Sequence, residues 1–311
     1  MAGIKWTRRD FLKAAAVAPV ASAVGCSCLT CPKAVPAPPP GAGTARITQV
    51  SRNSRVVLVR DAAAVGEGRK IDAMIVRKML DEAVNTLFGE NDPVAAWKQI
   101  VGPDDIVGVK TSEWPSLPTG PELEGAIRER LIDAGVPAGK ISIADRGVLG
   151  DPVFQAATVL INVRPARIDD RAGIGGCLEN YIAFVPDPAA WSADAWAGLA
   201  GIWSLPEVKG RTRLNILSML TPPYDGGGPD GSSEPSLWPY KGLIISRDPV
   251  AADAIGLSII QAKRREVFGE DRPLKASAHY LELADTKHGL GKSKPEDIDL
   301  IRLGWTEGIL I

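Results

Sequence analysis

From Ser54 onward the chain alternates two hydrophobic periods, and that alternation limits what it can fold into. Short apolar runs of strand length recur at Arg55–Arg60, Asp105–Lys110, Lys140–Asp145, Ala157–Val163, Arg213–Leu220, Lys241–Ser246 and Asp297–Leu303. Continuous apolar runs of this length read as strands buried on both faces. Between them the spacing changes to that of a helix. Ile71, Ile75, Met79, Leu80, Ala83, Val84 and Leu87 form one stripe, and Leu123, Ile127, Leu131 and Ile132 another. Asp72 is placed to cap the first of these helices. Pro121 opens the second behind Thr119 or Gly120, and Gly135 ends it. Further helices are expected over Gly173–Phe184, from Asp248 or Pro249 onward, and over Lys275–Lys287. Strands separated by helices predict an α/β fold: a mainly parallel sheet flanked by helices, in a single compact domain over residues 51–311.

In open sheets of this kind, ligands collect beyond the carboxyl ends of the strands. That rim would carry Lys110–Glu113, Asp145–Arg146 and Asn162–Arg164. Strand ends also turn polar simply because they meet solvent, so polarity alone does not make a site. Lys110, Arg146 and Arg167 are candidates to hold a phosphate or carboxylate. Asp145, which ends a strand, and Asp253 are the acid–base candidates, or the carboxylates that would hold a divalent cation such as Mg²⁺. Asp225 opens a glycine-rich loop that runs to Ser233 and would admit a ligand close to the backbone. Asp248, at a helix start, suits a cap. The glycine-rich entry Gly173–Cys177 offers backbone N–H groups to an anion. Trp191, Trp196 and Trp203 suit core packing better than a ligand platform.

The two histidines, His279 and His288, are nine residues apart and fall on opposite faces of one helix. They do not suggest a shared metal, and no Gly-x-Ser-x-Gly elbow is present. Lys plus Arg is 36 and Asp plus Glu is 37. Such a balance argues against a dedicated nucleic-acid binder.

Residues before the strands have a different character. Thr7-Arg8-Arg9-Asp10-Phe11-Leu12-Lys13 followed by the apolar stretch Ala14–Val24 resembles a twin-arginine export signal, predicting residues 1–25 as a signal peptide. The expected partner is the twin-arginine translocation machinery, and the expected location is outside the cytoplasmic membrane of a prokaryote. Membrane association would come through the signal or a lipid anchor only. Ala21-Ser22-Ala23 suits simple cleavage, whereas Ala23-Val24-Gly25-Cys26 resembles a lipobox with Cys26 as the lipidated residue. Residues 26–50 read as a tether rich in Cys and Pro, with Pro36, Pro38, Pro39 and Pro40 as a polyproline-like spacer. Cys26, Cys28 and Cys31 form Cys-x-Cys-x-x-Cys, half of an iron–sulfur or metal site for which Cys28, Cys31 and Cys177 are the weak candidates.

Several segments together carry a family resemblance. Val107-Gly108-Val109-Lys110, Ile143-Ala144-Asp145-Arg146, Leu160-Ile161-Asn162-Val163, Leu178-Glu179-Asn180, the glycine-rich loop 225–233 and Asp248-Pro249-Val250-Ala251 with Asp253 and Gly256 occur in this order. Over residues 54–304 this resembles the prokaryotic family called domain of unknown function 362. The resemblance implies a fold, and for many members iron–sulfur clusters, but no defined reaction. The chain departs from the family pattern after Val163. The family lysines fall on Pro165 and Arg167, and the family histidine on Asp169. Three expectations remain open: an exported protein with a rim site for a small anion or a metal, extending to a cofactor-dependent enzyme; a non-catalytic envelope lipoprotein that binds; and an iron–sulfur electron-transfer protein.

Overall fold

The computed structural model describes residues 53–191, 196–226 and 235–311, within a unit that runs Val50–Ile311. The expected signal peptide, the tether and Cys26, Cys28 and Cys31 lie outside the described residues, as does most of the loop after Asp225.

Seven strands form one sheet: β1 (Ser54–Arg60), β2 (Val107–Lys110), β3 (Ile141–Ala144), β4 (Val159–Pro165), β7 (Thr212–Met219), β10 (Gly242–Ser246) and β11 (Ile298–Gly304). Their order is β11-β1-β10-β7-β4-β2-β3. Six strands run in one direction, and β10 alone is antiparallel, lodged between β1 and β7. The α/β architecture with a mainly parallel sheet is therefore as the periodicity indicates. Two small hairpins stand apart: β5 (Arg167–Asp169) with β6 (Gly173–Gly175), and β8 (Pro223–Asp225) with β9 (Ser236–Leu237).

Helices cover both faces. On one face lie α1 (Ala73–Phe88), α2 (Pro93–Lys98) and α3 (Pro121–Asp133), where Val76, Leu80, Trp97, Ile127 and Leu131 pack on Val57, Val109, Ile161 and Ile216. The other face carries α4 (Pro152–Ala156), α5 (Cys177–Asn180), α6 (Leu199–Ile202), α7 (Pro249–Phe268) and α8 (His279–Thr286). Alternate residues of β4 therefore serve opposite cores: Leu160 one, Ile161 and Val163 the other. Among the described residues no helix is long and apolar enough to cross a membrane.

The caps are where the sequence puts them. Asp72 accepts from the amides of Met74 and Ile75, and left-handed Gly89 closes α1. Pro121 stands at the first turn of α3. Asp248 accepts from Val250 and Ala251 at the start of α7, and its other oxygen takes the Lys292 amide and the Ser54 hydroxyl. Asp248 thus ties β1, α7 and the loop before β11 together.

The expected helix over Gly173–Phe184 is not formed as one element. Gly173–Gly175 is a strand with Gly173 at φ +83°, and the α-helix is only Cys177–Asn180, followed by a 3₁₀ turn. Its glycines are required for close approach. A Cβ on Gly175 would collide with the Glu179 carboxylate, and one on Gly176 with the Asp253 carboxylate. The helix expected over Lys275–Lys287 starts only at His279, because the chain at Ala276 and Ala278 passes directly over Gly173.

Candidate functional site

Chain order explains where a ligand could sit. From β2 the chain moves outward to β3, then crosses back over β2 to β4 and on to β7. The direction of winding reverses between β2 and β4. Beyond the carboxyl ends of these two strands lies the crevice that open α/β sheets use for ligands.

A row of polar residues crosses the sheet just beneath that crevice. Lys110, Asn162, Asn215 and Ser246 are partners in register on neighbouring strands, and all four are buried. Asn162 donates to Asn215 Oδ1 at 3.0 Å and to the Cys177 carbonyl at 2.9 Å. Asn180, on α5, donates to Asn162 Oδ1 at 2.8 Å and to the Lys110 carbonyl at 3.1 Å. The row thereby fixes α5 over the strand ends. Buried polar groups of this kind are stable only when mutually satisfied.

Lys110 is 1% exposed. Its ammonium donates to Asp145 Oδ1 at 2.6 Å, the Thr111 carbonyl at 2.6 Å and Asn180 Oδ1 at 3.2 Å. A lysine has three N–H donors, and here all three are engaged. Burial lowers its pKa to about 8 against the opposing pull of Asp145. Asp145 also accepts from the Glu113 amide at 3.0 Å. Burial pushes the Asp145 carboxyl up, but the Lys110 charge and these hydrogen bonds outweigh it and hold it below the usual range. Asp145 is therefore an ionised carboxylate, and Lys110 orients it.

These two residues line a cleft of about 150 Å³ with Arg146, Arg164, Arg167 and Glu179. The site sets four cationic side chains against two carboxylates. Arg146 is 87% exposed and 4.0 Å from Asp145. Arg164 is 2% exposed and lies 3.5 Å from Glu179, and its Nε has no hydrogen-bond partner among the described residues. Arg167 reaches Glu179 at 3.3 Å and lies over the Trp114 ring at 4.9 Å. A second lobe of about 190 Å³ adjoins through Trp114, Arg167 and Glu179, and is closed by Asp169, Arg171 and Trp196.

The structure thus brings together Lys110, Asp145, Arg146 and Arg167, and it separates the other candidates. Asp253 is not at the rim. It is fully buried on α7 and accepts from the amides of Cys177 at 2.6 Å and Leu178 at 2.9 Å. The acceptor that occupies the glycine-rich entry is this carboxyl, so its role is to anchor α5. Burial raises its pKa to about 7, against the pull of the two amides and Arg164. Asp225 lies elsewhere too, 2.9 Å from Arg264 of α7 and beside a different cavity.

Cys177 has 0% exposure, and burial lifts its thiol well above the ordinary value. Asp145 and Asp253 bind different partners, and among the described residues no group of three His, Cys, Asp or Glu side chains is placed to hold one metal ion. His279 is exposed and pairs with Glu282 on its own helix. Trp203 stacks on Tyr181 at 4.5 Å, in the packing role expected of it. Trp196 is likewise buried in the core on its face of the sheet, and it also borders the second lobe.

Arg164 stands at the rim as expected, though with no role assigned to it, and Glu179, Asn180 and Trp114 complete the site without having been singled out as its members. One signal was present: Lys110, Asn162 and Arg164 are polar interruptions in strands otherwise apolar enough to be buried on both faces. No family model matches the chain, and no curated protein or solved structure matches it either.

Proposed function

We propose that this protein binds a small anionic ligand, bearing a phosphate or carboxylate, in the cleft beyond β2 and β4. One observation carries the reading: four cations meet only two carboxylates in a half-enclosed site, with Arg164 buried and incompletely paired. Cationic side chains that converge on one cleft in excess of its carboxylates favour an anion there. Arg146 and Arg167 reach the opening and supply the fork geometry that suits oxyanions. The reading favours binding over proton transfer, because Lys110 has no N–H to spare and Asp145, held below the usual carboxylate range by Lys110 and the Glu113 amide, is a weak base. Such a site fits an exported binding module, with Thr7–Lys13 as the address and a likeness to domain of unknown function 362 in the body.

Calorimetric titration with inorganic phosphate, sulfate and small carboxylates tests the site. At least one should bind, and Arg146→Ala with Arg167→Ala should weaken it at least tenfold, about 1.4 kcal/mol. Binding by none, or equal binding by the double variant, refutes the assignment. Export is tested separately by cell fractionation. Replacing Arg8 and Arg9 by lysine should retain the protein in the cytoplasm, and unchanged export overturns that part.

A further inference from the structure

Taking the anion-binding reading as its basis, we infer that the ligand is a hydroxylated acid, seated across both lobes with its acid in the first and its hydroxyl groups in the second. The lobes hold about 150 and 190 Å³. Each falls well short of the roughly 300 Å³ at which small-molecule pockets begin, and together they reach it. Trp114, Arg167 and Glu179 line both.

The two lobes differ in charge. Lobe one has the cation excess and takes the acid. In lobe two, Arg167 and Arg171 are balanced by Asp169 and Glu179, so a second acid group would meet two carboxylates. What these carboxylates can still take is hydrogen-bond donors. Glu179 Oε2 is shut away from the cavity against Arg164 and Gly175, and Glu179 Oε1 accepts from Arg167 at 3.3 Å. Asp169 accepts from Arg171 and Ala172 through Oδ1 alone. Burial and the nearby Glu179 both push the Asp169 carboxyl up. Carboxyl oxygens with room for a further hydrogen bond are matched by neutral donors, which hydroxyls supply without adding charge. Trp114 and Trp196 supply the apolar part of the lining, with Arg167 over one ring and Arg171 over the other, and the carbon skeleton that carries those hydroxyls would rest against them.

The test compares acids of equal charge and chain length on the purified full-length protein: D-gluconate against hexanoate, with inorganic phosphate as the probe of lobe one. Gluconate should bind at least tenfold more tightly than hexanoate. Glu179→Gln should reduce that ratio several-fold. Trp196→Phe, which alters lobe two alone, should weaken gluconate and leave phosphate unchanged. Equal binding of gluconate and hexanoate overturns the inference and leaves the anion site standing. So does binding of phosphate with neither organic acid. Absence of all binding removes the anion site and this inference with it.

Discussion

Replacing Asp253 by Asn should change the sign of its effect on stability as pH is raised. The folded protein holds this carboxyl at about 7, against an ordinary 3.8 in the unfolded chain. Between those values the folded state binds a proton that the unfolded state has released. Stability therefore falls as pH rises through this window. At about 1.36 kcal/mol per pH unit, the loss across it approaches about 4 kcal/mol. Asn cannot ionise, so the variant lacks this term. It has a separate defect. Both Asp253 oxygens accept backbone amides, from Cys177 and Leu178, and Asn offers one oxygen only. The second amide is left without an acceptor in a fully buried place, at a cost of about 1–3 kcal/mol. Near pH 4, at the foot of the window, Asp253→Asn should then be less stable than the parent by about 1–3 kcal/mol, and near pH 8, where the parent has lost about 4 kcal/mol, more stable by about 1–3 kcal/mol. Urea unfolding of both proteins across this range measures the difference directly. Asp169, Asp248 and Glu124 also have raised values, but they titrate in both proteins and cancel. A stability difference that does not vary with pH would refute the assignment of Asp253 as a buried, proton-linked anchor.

Three further outcomes follow from the same geometry. Gly176→Ala should cost about 1–3 kcal/mol in thermal unfolding, since its Cβ would meet the Asp253 carboxylate; a neutral result contradicts the close approach. Asn162→Ala removes the side chain that joins Asn180, Asn215 and the Cys177 carbonyl, so denaturant unfolding should show a loss of about 1–3 kcal/mol. Anion affinity should fall as pH rises through about 8, where Lys110 gives up its proton. Calorimetry on Lys110→Met should find weaker binding at neutral pH and no such inflection, and an inflection that persists in the variant would assign it to another group.

The strand and helix alternation was legible because burial on both faces demands continuous apolar runs, and because Asp72, Pro121 and Asp248 mark helix starts locally. Direction was not. An apolar run such as Lys241–Ser246 reads the same whichever way it crosses the sheet, so the antiparallel placement of β10 had no local sign. The three-residue hairpin strands carry too few residues for any period. Gly173–Gly176 reads as a glycine-rich helix entry that offers its amides to an anion, whereas Gly175 and Gly176 answer to the carboxyl groups of Glu179 and Asp253.

At the site, Lys110, Asp145, Arg146 and Arg167 could be read from their places at or after strand ends. Glu179 could not be assigned to them, since its contacts with Arg164 and Arg167 arise only when the segment after β6 folds back over β4. The buried place of Asp253 has no local sign for a related reason. Its amide partners lie 75 and 76 residues earlier in the chain. What the sequence did show was a lone carboxylate in the otherwise apolar run Val250–Ile255, which is the pattern of a side chain satisfied inside.

The position of β1 has a consequence for the timing of synthesis. This first strand is flanked by β10 and β11, so it has no neighbour on either side until residues 242–304 have been made. At roughly 5–20 residues per second, the ribosome needs about 10–40 s after finishing β1 to deliver β10. Throughout that interval Val56–Val59 must wait unpaired, next to whatever precedes them in the chain. Only with the last strand does the sheet close, so a twin-arginine address at the N-terminus would be displayed long before the cargo behind it is finished. For a route that carries folded proteins, release from the ribosome rather than emergence of the signal would then set the earliest moment of departure.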